Sequence, residues 1–121
     1  MNIEDLRDYC LSLGPVTEET PFGPDTLVFK VGGKIFLLVA LDQIDILRFN
    51  VKCDPEKAVE LRERYDQTVL PGYHMNKKHW NTLIANRELT DSALEELILH
   101  SYNLIVESLP AKVKQEIKGE C

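Results

Sequence analysis

Two consecutive glycines, Gly32-Gly33, separate two apolar runs, and no other feature constrains the fold of this chain as strongly. Such a pair supplies positive φ at both central positions of a type I′ turn, whose twist matches that of the strands it joins. Residues 26–31 and 34–41 are therefore predicted to form a tight β-hairpin. In the first arm Leu27, Phe29 and Val31 fall on one face. In the second arm nearly every position from Ile35 to Leu41 is apolar, which predicts a central strand covered, or nearly so, on both sides. Phe29 and Ile35 are expected to pack against the first helix or the long C-terminal one.

The remaining elements follow from caps and periodicity. Asn2 is a helix N-cap, and Ile3, Leu6, Cys10 and Leu13 make one apolar stripe that Gly14-Pro15 ends. Residues 16–23, with Glu18-Glu19 and Pro21, suit an edge segment better than a central one. From Ile46 to Lys52 the chain alternates: Leu47, Phe49 and Val51 face one way, and Arg48, Asn50 and Lys52 make a polar row on the other. Asp54-Pro55 starts a helix, with Asp as N-cap and Pro at N1, buried through Ala58, Leu61 and Tyr65. Thr90 caps the longest helix, whose stripe is Leu94, Leu97, Ile98, Ser101 and Ile105. Pro110 opens a short last helix that packs through Val113 and Ile117. Short links between strands imply an antiparallel meander with helices packed on one face, a single α+β domain over residues 1–121.

Charge is distributed unevenly along these elements. The net charge is −6, which argues against a protein that coats nucleic acid with a strongly basic surface. Residues 1–51 hold 4 Lys/Arg against 8 Asp/Glu, and residues 89–121 hold 3 against 6. Residues 52–88 hold 7 against 6, and from Gln67 to Arg87 there is no acidic residue at all. That window carries the only tryptophan, Trp80, with His74, His79 and the pair Lys77-Lys78. Pro71-Gly72 marks a turn, Asn76-Lys77-Lys78 a second turn tip, and residues 79–85 a strand. An acidic chain thus keeps one positive, aromatic-bearing hairpin.

The hairpin is a candidate nucleic-acid interface. Lys77 and Lys78 at a tip reach phosphates and release counterions. Asn76 and Asn81 are suited to hydrogen-bond bases or sugars, and Tyr73, His79 or Trp80 to stack on an unpaired base. Arg48 and Lys52, on the polar row, are expected to extend the patch, with Arg62, Arg64 and Arg87 as further neighbours. The opposing expectation is that Tyr73 and Trp80 anchor the core, since a lone tryptophan is on average largely buried. The alternative function is a small-ligand or protein-interaction module whose residues 71–81 line a pocket. Convergence of Tyr73, His74, Trp80 and Asn81 on a concavity favours the pocket; Lys77 and Lys78 beside Arg48, Lys52 and Arg87 on a convex face favour DNA.

Residues Glu19-Thr20-Pro21-Phe22-Gly23, Val51-Lys52-Cys53-Asp54-Pro55-Glu56 and above all Pro71 through Asn81 carry a resemblance to the MmcQ/YjbR family of small proteins proposed to bind DNA. The resemblance runs over nearly the whole chain. It implies a fold similar to the frataxin/CyaY-like α+β fold, and a "double wing" mode of DNA binding through the hairpin.

Other chemistries find less support. His74 and His79 lie five apart with no acidic or thiolate partner between them, too few ligands for a metal site. Glu4, Asp5 and Asp8 on the first helix are ordinary complements of its dipole. Cys53 precedes a helix N-terminus, yet a small residue closing a strand explains it without reactivity. No phosphate loop, Ser–His–Asp order or zinc spacing is present, so no catalytic residue and no cofactor are expected. The acidic start, the lack of an apolar run long enough to span a bilayer and three scattered cysteines point to a cytoplasmic protein. Weak DNA binding by a monomer or weak homodimer is the expected behaviour.

Overall fold

The computed structural model describes residues 1–42, 45–72 and 75–119. Its core is a six-stranded antiparallel sheet, in the order β1-β2-β3-β4-β6-β5. The strands are β1 (Val16–Glu19), β2 (Thr26–Val31), β3 (Lys34–Ala40), β4 (Arg48–Lys52), β5 (Val69–Pro71) and β6 (Trp80–Ile84). Four helices, α1 (Ile3–Ser12), α2 (Pro55–Arg64), α3 (Asp91–Ser108) and α4 (Ala111–Gly119), complete an α+β domain.

The β2–β3 connection is the two-residue turn that the glycines predict, with φ of +58° at Gly32 and +82° at Gly33. Gly32 is required for a second reason: a Cβ there would stand 2.5 Å from Leu109 Cδ1 at the end of α3. The expected caps are present. Asn2 Oδ1 accepts from Asp5 N–H while Asp5 returns a bond to Asn2 N–H, so two orphan donors of α1 are satisfied reciprocally. Asp54 caps α2 and Thr90 caps α3, each accepting from a backbone N–H three residues on. Strand β1 is an edge strand held by ion pairs: Arg7 to Glu18 at 2.6 Å and Lys30 to Glu19 at 2.7 Å.

One face of the sheet is core. Leu27, Phe29, Val31, Leu37, Val39, Phe49, Val51, Val69 and Leu83 are buried there, under Leu6 and Cys10 of α1, Leu94, Ile98 and Tyr102 of α3 and Ile117 of α4. Helix α2 closes the β5–β6 end of the same face with Ala58. The expected contact of Ile35 is corrected. The β2–β3 register slips between Phe29 and Lys30, leaving Phe36 as an extra residue. A bulge of this kind re-aims side chains. Phe36 and Leu37 are both fully buried, and Phe36 packs edge-on to Tyr102 with ring centroids 5.4 Å apart. Ile35 is only half-buried.

Strand β3 is central, but the expectation of two covered faces is corrected as well: its other face carries Leu38, which stays half-buried. Across that outer face the register aligns Leu38, Asn50, Thr82 and Leu70 on four adjacent strands. Helices cover one face only.

Candidate nucleic-acid interface

The outer sheet face and the β5–β6 connection hold the charged and aromatic residues that sequence singles out. Strand alternation places Arg48, Asn50 and Lys52 together on this face, because Phe49 and Val51 point into the core. Lys52 pairs directly with Trp80, and Arg48 with Ile84. Trp80 is half-buried, so it is not the core anchor that its type suggests. Its indole belongs to the outer face, beside a lysine.

The end of β4 is fixed from behind. Lys52 N–H donates to Ser101 Oγ at 2.9 Å, and that hydroxyl donates to Phe36 C=O at 2.6 Å. Ser101 is fully buried on α3, and it serves two backbone groups left where the bulge and the end of the β3–β4 pairing interrupt the ladder. The next residue, Cys53, donates to His79 C=O at 2.7 Å and so ties β4 to the hairpin.

The hairpin connection is tight at both ends. Gly72 N–H donates to Trp80 C=O at 2.9 Å. A Cβ at Gly72 would meet Trp80 Cβ at 2.8 Å and Trp80 O at 2.9 Å, so only glycine admits this approach. At the tip Asn76 C=O accepts from His79 and Trp80 N–H, and its side-chain Oδ1 accepts from Lys78 N–H at 3.0 Å. The Asn76 side chain therefore builds the turn, a role typical of Asn in loops. Lys77 and Lys78 are exposed and His79 is half-buried. Tyr73 and His74 lie outside the described residues.

The two lysines separate. Lys77 reaches a groove of about 570 Å³ on the outer face, where it joins Arg48, Asn50 and Thr82 over an apolar lining that includes Ala40, Leu70 and Pro71. Lys78 turns to a hollow against α2, beside Arg62, Val59 and Glu56. Arg87 donates to Gln67 C=O at 2.9 Å and does not line the groove. The positive groups are thus Arg48 with Lys77 in a concavity, and Arg62 with Lys78 in a separate hollow.

Asn81 is the site residue that the structure removes from the interface. It is 1 % exposed and in phase with Leu83, so it faces the helices. Its Nδ2 donates to Ala58 C=O at 3.4 Å, and its Oδ1 has no partner. Sequence reasoning missed Thr82 and Leu70, whose place on the face of Trp80 is readable from the period-2 pattern of β6 and from the pairing of β5. Arg48 carries a second unpaired atom: its Nε is buried and makes no hydrogen bond.

The thiols and the third histidine do other work. Burial pushes the Cys10 thiol up to about 12, and burial likewise raises Cys53. For Cys53 that direction opposes the thiolate that a helix-start nucleophile needs. A histidine does stand nearby: His100 Nε2 accepts from Asp54 N–H at 3.3 Å. Burial, with Lys57 adding to it, lowers the pKa of His100. Among the described residues no group of three or more His, Cys, Asp or Glu is placed to hold a metal ion, and no helix is long and apolar enough to cross a membrane.

The fold is shared with known proteins. The YjbR family profile matches residues 11–104, and the chain belongs to that family. It is 39% identical to YbdF of Escherichia coli O157:H7 over 98 residues, 81% of this chain and 79% of that protein. It is 28% identical to YjbR of Escherichia coli K12 over 115 residues, 95% and 96% of the two chains. The crystal structure of Deinococcus radiodurans protein DR2400 superposes with a TM-score of 0.88 at 38% identity, over 95% of this chain and 86% of that one. A crystal structure from Pseudomonas syringae, PsR293, gives 0.71 at 27% identity, over 86% and 98%.

Proposed function

We propose that this protein binds nucleic acid, DNA in the first instance, across the outer sheet face and the β5–β6 hairpin, and that its role is binding rather than catalysis. The observation that carries the reading is the convergence of Lys77 with Arg48 in a groove with no acidic residue among its described lining. Lys78 beside Arg62 continues positive charge onto the flank, where Glu56 tempers it. Each cation that neutralises a phosphate releases counterions, the sequence-independent source of affinity. Exposed Asn76 and half-buried His79 at the hairpin, with half-buried Lys52 and Trp80 on the outer face, supply sugar, phosphate and stacking contacts. The net charge of −6 repels a polyanion at distance, so association is slow and the affinity micromolar or poorer at physiological salt.

Trp80, the only tryptophan, reports on this face directly. Titration with an oligonucleotide at low salt is expected to quench its fluorescence and raise the anisotropy of a labelled strand together. Absence of both signals with single- and double-stranded DNA refutes the reading.

The concavity favours a second reading, a site for a small ligand. The groove's volume falls within the range of about 300–1,000 Å³ found for ligand pockets. Saturable fluorescence change with a small anion, and none with oligonucleotides, selects it.

A further inference from the structure

The donor and acceptor inventory of the groove specifies its occupant more closely than charge alone. Thr82 Oγ1 donates to Asn50 Oδ1, which fixes the Asn50 amide with its oxygen engaged and its two N–H donors left over. The guanidinium of Arg48 and the ammonium of Lys77 have donors only. So Arg48, Asn50 and Lys77 all offer N–H groups to the cavity they line. Arg48 Nε is not one of them: it is buried away from the cavity surface and has no partner. The remaining wall is apolar, with Ala40, Leu70 and Pro71. The complementary ligand has an anionic, acceptor-rich end and a flat or apolar body that also carries acceptors.

We infer that the groove seats one unpaired nucleotide of a single strand, with its phosphate on Arg48 and Lys77 and its base against Ala40, Leu70 and Pro71, read at its acceptor edge by the Asn50 amide. The inference rests on the nucleic-acid reading and adds strandedness to it. A duplex keeps its bases stacked and paired, so it presents phosphates to Lys77 and Lys78 but places no base in the groove. A single strand does both. Trp80 lies two residues from Thr82 on the same face of β6, where it offers a stacking platform to a neighbouring base.

The test uses the full chain, a labelled single-stranded oligonucleotide, its duplex, and a free nucleoside monophosphate. Wild type is expected to prefer the single strand by about tenfold or more, the value of one well-made charged hydrogen bond. Ala40→Phe fills the groove and leaves every charge in place; it should abolish that preference by weakening single-strand binding. Arg48→Met should weaken single-strand binding by about tenfold, and melting curves show whether either variant is folded. If Arg48→Met fails to fold, Ala40→Phe and competition by the free nucleotide carry the test. Equal affinity for single strand and duplex, or a preference that survives Ala40→Phe, overturns this inference and leaves the nucleic-acid reading standing. Binding of the free nucleotide without binding of the strand overturns both in favour of a small-ligand site, and no binding of any probe overturns both outright.

Discussion

Ser101→Ala is the sharpest test of how the site is held. The hydroxyl is fully buried, accepts from Lys52 N–H and donates to Phe36 C=O, so its removal leaves two backbone groups without partners in the core. Each such group costs about 1–3 kcal/mol. The two share one site and relax together, so the combined loss is about 2–4 kcal/mol. An unfolding entropy of roughly 2.1 cal/mol/K per residue makes each kcal/mol worth about 4 °C in a chain of this length, a fall in Tm of about 8–16 °C. Ser108→Ala is the control. That hydroxyl donates back to Ile105 C=O from an exposed position on the same helix, and its removal should cost less than about 0.5 kcal/mol. Urea denaturation of both variants measures the difference, with unchanged m-values confirming comparable unfolded states. Equal stability of the two would refute the claim that Ser101 completes the broken ladder at the end of β4.

Other outcomes follow from the same geometry. Asn81→Leu should be neutral or stabilising by thermal melting, because the amide makes one long hydrogen bond and leaves its oxygen unpaired in the core. Trp80→Ala should cost about 1–2 kcal/mol, well below the roughly 3–5 kcal/mol of Phe36→Ala, since only the phenylalanine is fully enclosed. Glu18 is held below the ordinary carboxylate range by its hydrogen bond to Arg7. A depressed carboxylate stabilises above its unfolded pKa near ~4.3 and loses that contribution as pH falls through the folded value. Glu18→Gln should therefore lower stability slightly at pH 7, and the gap from wild type should close on acidification. Cys10 and Cys53, both with thiol pKa raised by burial, should resist alkylation at pH 8 until denaturant is added, as peptide mapping would show.

Much of the fold was legible because local signals agreed with one another. Asn2, Asp54 and Thr90 cap the helices that their types announce, and the adjacent glycines make the turn that only they accommodate cheaply. The alternation of β4 located the outer face correctly. The bulge at Phe36 was not legible, since in an unbroken apolar run no polar residue marks the phase. Asn81 was misplaced for the opposite reason. Its type suggested a surface contact, while its phase with Leu83 already put it in the core. The groove was only half visible. Arg48 stands out by charge, but Ala40, Leu70 and Thr82 meet it through pairings between strands far apart in sequence, which periodicity within one segment cannot reveal.

Salt dependence tests the central claim most directly. The measurement is the slope of log K against log salt for DNA binding, for wild type and for Lys77→Ala with Lys78→Ala. Both lysines are exposed at the hairpin tip, and each phosphate contact releases about one counterion. The account predicts measurable binding at low salt, and a slope that shrinks by roughly two units in the double variant with uniform weakening across sequences. No binding to single- or double-stranded DNA at low salt, or a slope unchanged by the double substitution, would contradict it.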